Sequence, residues 1–434
     1  MKIEVIGLGY VGLSTAAVFA DSGFDVIGVD SNTNVVETIN SGAVHIVEPD
    51  LERVVRTAVA KKKLVARSAP CEADAFVIAV PTPNSDDVYM SCDLTHVLTA
   101  TEAILPYLRK GNLVIVESTI APRTVEDHIK PVVERAGFTV GEDIFLAHCP
   151  ERAFPGQILH ELVYNNRVIG GVTDACAEKA AAIYGAFVKG EIIRTDSKTA
   201  EMCKLMENTF RDVNIALANE LAKVCCKLDI DVYDVIRLAN KHPRVNIHTP
   251  GPGVGGHCLA VDPYFIYATV PDTAKMIKLA RDVNESMPDF VVENTLKLLR
   301  KDRTQPIAVF GVAYKPDVDD VRESPALKII DKLNTLGYET RVHDPYVKND
   351  AYVSAKDALE GAGLLLCLVG HSDFRRIDGS VFKALMARPL VFDVSGTLAQ
   401  EGVEIVHYGN LHRHIRKGEK AHAERKKLET QARP

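Results

Sequence analysis

The chain has 434 residues, 47% hydrophobic and 25% charged, with a formal net charge of −7. That length supports two or three domains with cores of their own, and the composition is that of a globular protein rather than a disordered or fibrous one. The acidic balance gives no reason to expect nucleic acid or an anionic membrane as partner, and no apolar run reaches the roughly 20 residues a membrane helix needs.

The first segment alternates strand-like and helical patterns. Residues 2–9 (KIEVIGLG) and 25–30 (DVIGVD) read as strands flanking a helix over about 11–22, and apolar runs at 75–80, 113–117 and 144–148 continue the series. This alternation predicts a doubly wound parallel sheet, on which ligands bind at the carboxyl ends of the strands. From about 197 to 238 the apolar spacing becomes helical. Pro243 and the Pro/Gly cluster at 250–253 end that stretch, and a second helical stretch covers about 272–300. PIAVFGVAY at 306–314 opens a second α/β unit, with a helix near 326–336 and strands at 339–343, 364–369 and 390–394.

The predicted fold is therefore α/β, with two Rossmann-like doubly wound parallel-sheet domains joined by a central helical region. Its domains are 1–196, 197–300 and 301–412, followed by a tail at 413–434 rich in Lys, Arg and Glu, read as a solvated helix or frayed terminus. The nine cysteines include no Cys-x-x-Cys pair, so neither zinc nor a disulfide framework is expected. Such usage fits a reducing cytoplasm, and MKIEVIGLGY lacks the charged and apolar regions of a signal peptide.

Gly7, Gly9 and Gly12 form GLGYVG at a strand-to-helix turn. In this pattern the first glycine permits the turn, the second admits a pyrophosphate and the third lets helix and strand pack closely, with the phosphates at the helix N-terminus. Asp30 ends the second strand about 20 residues on, where a carboxylate holds ribose hydroxyls and repels a 2′-phosphate; NAD is therefore expected rather than NADP. Thr82 and Thr119 follow two further strands, where they serve equally as cofactor contacts or as plain helix caps.

Lys204, Asn208 and Arg211 sit at i, i+4 and i+7, on one helical face. Such a stripe reads as the wet side of a helix or, since the flanking Leu205, Met206 and Phe210 predict a largely buried helix on which an unpaired lysine is costly, as a cation aimed at a developing oxyanion. PGPGVGGHCLAVD places Cys258 behind Gly255 and Gly256, with Asp262 four residues on. Alone, this segment reads equally as a nucleophilic thiol or as a glycine turn with a buried packing cysteine.

Taken together, GLGYVG, VPTP, EST, KLMENTFRDVNIALANEL, PGPGVGGHCLAVDP and GVAYKPDVDDVRESP resemble the nucleotide-sugar 6-dehydrogenases, the UDP-glucose/GDP-mannose dehydrogenase family. The resemblance runs to about residue 410, and CPERAFPGQILHELVYNNRVIGG, ANKHPRVNI and GGHCLAVDP are most similar to the family's UDP-N-acetyl-D-mannosamine dehydrogenases.

It implies a four-electron oxidation of a UDP-sugar at C6, with NAD as cofactor and Cys258 forming a thiohemiacetal and then a thioester. Lys204 and Asn208 would stabilise oxyanions, Asp262 would position water or assist proton transfer, and Glu151 would be the base for hydrolysis, with Thr119 holding the water. Tyr10, Val11 and Arg322 join the cofactor contacts. Arg152, Ala153, Arg211, His242, Arg244, Gly255, Tyr314 and Lys315 join Lys204 and Asn208 as substrate contacts.

The family resemblance also implies a homodimer or dimer of dimers. Two departures count against UDP-glucose: Pro155 stands where that branch has a second acid, and FDVSGTL lacks its arginine. The alternatives are UDP-N-acetyl-D-glucosamine as substrate, or a two-electron β-hydroxyacid dehydrogenase needing no nucleophilic cysteine.

Overall fold

The computed structural model describes residues 1–154 and 156–416, so Pro155 and nearly all of the predicted tail lie outside the described residues. Two compact units result: residues 1–207 with 264–274, and residues 208–263 with 275 onward.

The chain opens with β1 (Lys2–Ile6), α1 (Tyr10–Asp21), β2 (Asp25–Val29), α2 (Thr33–Asn40), α3 (Leu51–Ala60) and β3 (Leu64–Arg67). Next come β4 (Ala75–Ile78), α4 (Thr95–Ile104), β5 (Leu113–Val116), α5 (Lys130–Arg135), β6 (Phe145–His148) and α6 (Ile158–Tyr164). The first unit's sheet is completed by β7 (Arg167–Gly171) and β8 (Ile192–Asp196), with α7 (Asp174–Tyr184) between them.

A 32-residue helix, α8 (Ser197–Leu228), follows, then α9 (Val232–Ala239), α10 (Asp262–Thr269), α11 (Lys275–Glu285) and α12 (Met287–Leu298). The second sheet is built from β9 (Ile307–Phe310), α13 (Pro325–Thr335), β10 (Thr340–His343), α14 (Ala355–Leu359) and β11 (Leu364–Cys367). After these come α15 (Gly379–Leu385), β12 (Leu390–Asp393) and β13 (Glu404–Val406).

In the first unit the strand order is β3-β2-β1-β4-β5-β6-β7-β8, and in the second β10-β9-β11-β12-β13. Near-continuous apolar runs form the strands because both faces are covered. In β4, Ala75 and Val77 enter one core while Phe76 and Ile78 enter the other; in β5, Leu113 and Ile115 part from Val114 and Val116 in the same way. The second sheet repeats this, with Ile307 and Val309 on one face of β9 and Ala308 and Phe310 on the other. This two-faced burial is what a parallel sheet wrapped by helices requires.

One pairing departs from the all-parallel expectation. β7 runs antiparallel to β6, pairing Ala147 with Gly171 and His148 with Gly170. Here the chain returns to the sheet through residues 149–157 and the short α6, so no crossover carries it back to the far end. Among the described residues no helix is long and apolar enough to cross a membrane.

The helices of the second unit enclose a buried polar chain. Arg281 Nη1 donates to Asp212 Oδ1 at 2.7 Å, and Asn284 Nδ2 donates to the same oxygen at 2.7 Å. Asn219 Nδ2 donates to Asn284 Oδ1 at 2.9 Å, while its own Oδ1 accepts the Gly251 N–H at 2.9 Å. Arg281 also reaches the Leu259 carbonyl at 3.4 Å, so both ends of the 251–259 segment are tied into one network. Removing the cation leaves a fully buried carboxylate uncompensated. Arg281→Leu should therefore lose about 3–5 kcal/mol of stability, read as a lower urea midpoint in the second unit's transition.

Candidate active site

In the first unit the strand order reverses between β1 and β4, and both strand ends meet there. Gly7 adopts φ +91°, and a Cβ on it would lie 2.5 Å from the Ala79 carbonyl oxygen. Gly12 is tighter still, since its Cβ would lie 1.9 Å from the Gly7 carbonyl oxygen. At Gly9 the situation is opposite: no protein atom lies within 4 Å of a Cβ built there. Gly9 is the N-cap of α1 and brings no side-chain cap, so the first turn keeps its N–H donors for a ligand.

Asp30 is already oriented. Its carboxylate accepts the Leu8 N–H at 3.0 Å and the Asn32 N–H at 2.9 Å. Tyr10 and Val11 begin α1 beside this turn. Thr82 and Thr119 are brought together, the Thr82 hydroxyl donating to the Thr119 carbonyl at 2.6 Å. These features fit a dinucleotide: a turn with room for pyrophosphate, open helix donors and a pre-set ribose carboxylate.

Also in this unit, Glu151 Oε1 accepts the N–H groups of Arg152 and Ala153 at 2.6 and 2.7 Å, and Oε2 accepts Arg167 Nη2 at 2.9 Å. The turn after it is fastened by the buried Glu48, which accepts the N–H groups of Gly156 and Ile158, both at 2.8 Å. Arg152 forks onto Glu207 at 3.0 and 2.5 Å and reaches the Asn166 carbonyl at 3.0 Å. Lys204 is half-buried on α8. Burial holds the nearby His148 imidazole neutral, down at about 3, and the Lys204 charge adds to that effect.

The second unit holds the cysteine segment. Cys258 is an exposed thiol. Its carbonyl accepts the Asp262 N–H at 2.8 Å, and the buried Asp262 accepts Asn208 Nδ2 at 2.6 Å through Oδ2. Gly255 and Gly256 press against the 314–325 segment: a Cβ on Gly255 would lie 2.7 Å from the Glu323 carbonyl oxygen, and one on Gly256 2.9 Å from the Tyr314 ring. The Gly256 N–H donates to the Arg322 carbonyl at 2.9 Å.

Arg322 itself forks onto Asp320 at 3.0 and 2.6 Å. The Tyr314 hydroxyl is raised by burial first and then by the charges of Asp320 and Cys258, while Arg322 and Arg211 pull it down.

The turn bearing Tyr314 and Lys315 is bracketed. Val312 N–H donates to Asp344 Oδ2 at 2.7 Å, Asp317 N–H donates to His371 Nδ1 at 2.9 Å, and His371 Nε2 meets Asp344 at 3.0 Å. His242 and Arg244 lie exposed in a loop closed by Asn240, whose side chain exchanges bonds with Ile247 at 3.0 and 2.7 Å. In FDVSGTL the acid folds back on its own loop, Asp393 accepting from Ser395, Gly396 and Leu398.

One expectation fails. Leu205 is buried, but Met206 and Phe210 are 43% and 62% exposed, so α8 is not enclosed on all sides. The exposed Phe210, Leu217 and Val224 recur every seventh residue as an apolar stripe. Sequence reading also missed Glu48, Glu117, Arg167, Asp320 and Asp344. The available signal was a lone charge inside or beside an apolar strand run.

Residues 1–188 match the NAD binding domain of the UDP-glucose/GDP-mannose dehydrogenase family, 198–286 its central domain and 308–400 its UDP binding domain. The chain is 47% identical over 406 residues to a UDP-N-acetyl-D-mannosamine dehydrogenase of Methanocaldococcus jannaschii, covering 92% of this chain and 93% of that protein. It is 46% identical over 392 residues to an NDP-N-acetyl-D-galactosaminuronic acid dehydrogenase of Ralstonia nicotianae, covering 87% and 92%. The solved UDP-N-acetyl-mannosamine dehydrogenase of Staphylococcus aureus is similar at a TM-score of 0.89 and 50% identity, over 96% of this chain and 100% of that one.

A methyl group separates the two glycine requirements at α1. Gly12→Ala should strain the turn by about 1–3 kcal/mol, lowering the melting temperature and weakening NAD binding together in calorimetry.

Proposed function

The chain belongs to the UDP-glucose/GDP-mannose dehydrogenase family and is an NAD-dependent nucleotide-sugar dehydrogenase; from that premise we propose that it oxidises C6 of UDP-N-acetyl-D-mannosamine to the carboxylate. The observation that carries this reading is the exposed Cys258 thiol at the head of the turn into α10, with Asp262 and Asn208 joined one turn further on. The identity to the archaeal UDP-N-acetyl-D-mannosamine dehydrogenase supports the choice of sugar. The Ralstonia relative supports a second reading, in which another nucleotide-linked N-acetylhexosamine is the substrate.

Gly7, Gly9, Gly12 and Asp30 would hold NAD, which would supply the hydride acceptor for C6 in each of two rounds, the hydroxyl proton passing to water each time. Tyr10, Val11, Thr82, Thr119 and Arg322 are the further cofactor contacts in this reading. Cys258 adds to the C6 aldehyde, the carbonyl electron pair moves to oxygen, and a thiohemiacetal forms. One N–H of the Asn208 amide goes to Asp262, and the other is the donor assigned to that oxyanion, together with the Lys204 ammonium.

Loss of the second hydride leaves a thioester. Glu151 takes a proton from a water held by Thr119, with Asp262 assisting; hydroxide adds, the C–S bond breaks, and the Cys258 thiolate departs from the uronate. Arg152, Ala153, Arg211, His242, Arg244, Gly255, Tyr314 and Lys315 are the proposed contacts to the nucleotide sugar.

We assign the domains as 1–196 for NAD, 197–300 as the helical centre and 301–412 for the UDP-sugar, a division supported by the ends of the family matches at 188, 286 and 400. The proposed location is the cytoplasm. The proposed assembly is a homodimer or dimer of dimers, supported by the exposed stripe Phe210, Leu217 and Val224 on α8.

The reaction predicts two NADH per UDP-N-acetyl-D-mannosamine consumed, and Cys258→Ser should lower turnover by about a thousandfold. One NADH per sugar, or undiminished turnover in the variant, would sink the covalent route. Leu217→Glu, placing a charge in the stripe, should halve the mass seen by light scattering while leaving the far-ultraviolet spectrum unchanged.

A further inference from the structure

Glu151 is an awkward base as the structure presents it. Its carboxylate already accepts two backbone N–H groups and a guanidinium, so both oxygens are engaged before a water arrives. The same guanidinium has a second acid on its other side. Arg167 Nη1 lies 3.5 Å from Glu117 Oε1, and both side chains are almost wholly buried. Their surroundings are few: the Tyr184 hydroxyl donates to Glu117 at 3.3 Å, the Tyr184 ring lies 4.6 Å below the guanidinium, and Cys149 Sγ is 3.5 Å from Arg167. Thr15 on α1 is the remaining group facing Glu117.

We propose that Glu117 is a positioning residue for thioester hydrolysis, setting through their common Arg167 how tightly the Glu151 side chain is engaged. This rests on Glu151 being the base. One cation faces two acids. When Glu117 is protonated, Arg167 serves Glu151 alone and keeps Oε2 occupied. When Glu117 ionises, the cation is divided between the two acids, so Glu151 Oε2 is freer to take a hydrogen bond from the attacking water. Burial first, and then the neighbouring Glu151, push Glu117 up to about 7, which puts this change within the working pH range. The sign follows: hydrolysis should quicken as pH rises through neutrality.

The test follows decay of the Cys258-bound acyl adduct by mass spectrometry of acid-quenched enzyme, in single turnovers with UDP-N-acetyl-D-mannosamine and NAD from pH 6 to 8. The wild-type rate should rise about tenfold with an inflection near neutrality, a small part of the roughly 10²–10⁴-fold that a general base contributes. Glu117→Gln should be flat at the pH 6 level, and Glu117→Asp should recover the rise. Tyr184→Phe keeps the ring under Arg167 but removes a donor to Glu117, so its inflection should move to higher pH.

A wild-type profile without inflection overturns the proposal. So does an inflection that survives Glu117→Gln, or, should that variant not fold, one left unmoved by Tyr184→Phe. Glu151→Gln separates the two levels: normal hydrolysis there removes the base assignment and this proposal with it. Lost hydrolysis there, with the inflection kept in Glu117→Gln, removes this proposal alone.

Discussion

A carboxylate taken out of water must be met by donors, and in both units the segments that carry chemistry are fastened by that requirement. Glu48 and Glu151 secure the turn after β6 through its own N–H groups. Asp344 holds the turn bearing Tyr314, and Asp212 with Arg281 anchors the cysteine segment. These bonds matter because a buried charge without partners costs several kcal/mol. Exposed pairs such as Arg53 with Asp50 contribute about 0–1 kcal/mol and position nothing.

What sequence disclosed was governed by how local the cause was. The GLGYVG turn, Asp30 and the apolar strands of both sheets were legible because a turn, a strand end and a two-faced strand each leave a short-range pattern. Four strands escaped. β3 alternates buried and exposed residues, β8 is largely exposed, β13 has three residues, and β7 carries two glycines and a buried arginine. The antiparallel turn of β7 against β6 escaped too, since pairing direction depends on where the chain re-enters the sheet rather than on the strand itself.

The candidate site divides the same way. Cys258, Asp262 and Asn208 could be chosen from residue type and spacing, and two of them prove to be bonded. The Arg167 cluster could not, because Glu117, Glu151 and Arg167 are distant in sequence and meet only when β5, β7 and the turn after β6 assemble. The Gly255–Gly256 pair is a subtler case. Its position beside a thiol left a reactive segment and a plain glycine turn equally open, and its neighbours prove to be Tyr314 and the Glu323 backbone. Met206 and Phe210 misled because apolar residues on a helix signal a covered surface without saying what covers it.

Gly9 and Gly12 are three residues apart in one motif, yet different things forbid a side chain at each. At Gly12 the obstacle is the protein's own backbone, so the constraint is written into folding itself. Around Gly9 the chain offers no obstacle at all. In the proposed reading, what a side chain there would meet is the pyrophosphate rather than the polypeptide. A single short motif thus answers to two constraints, one internal to the fold and the other set by the proposed ligand.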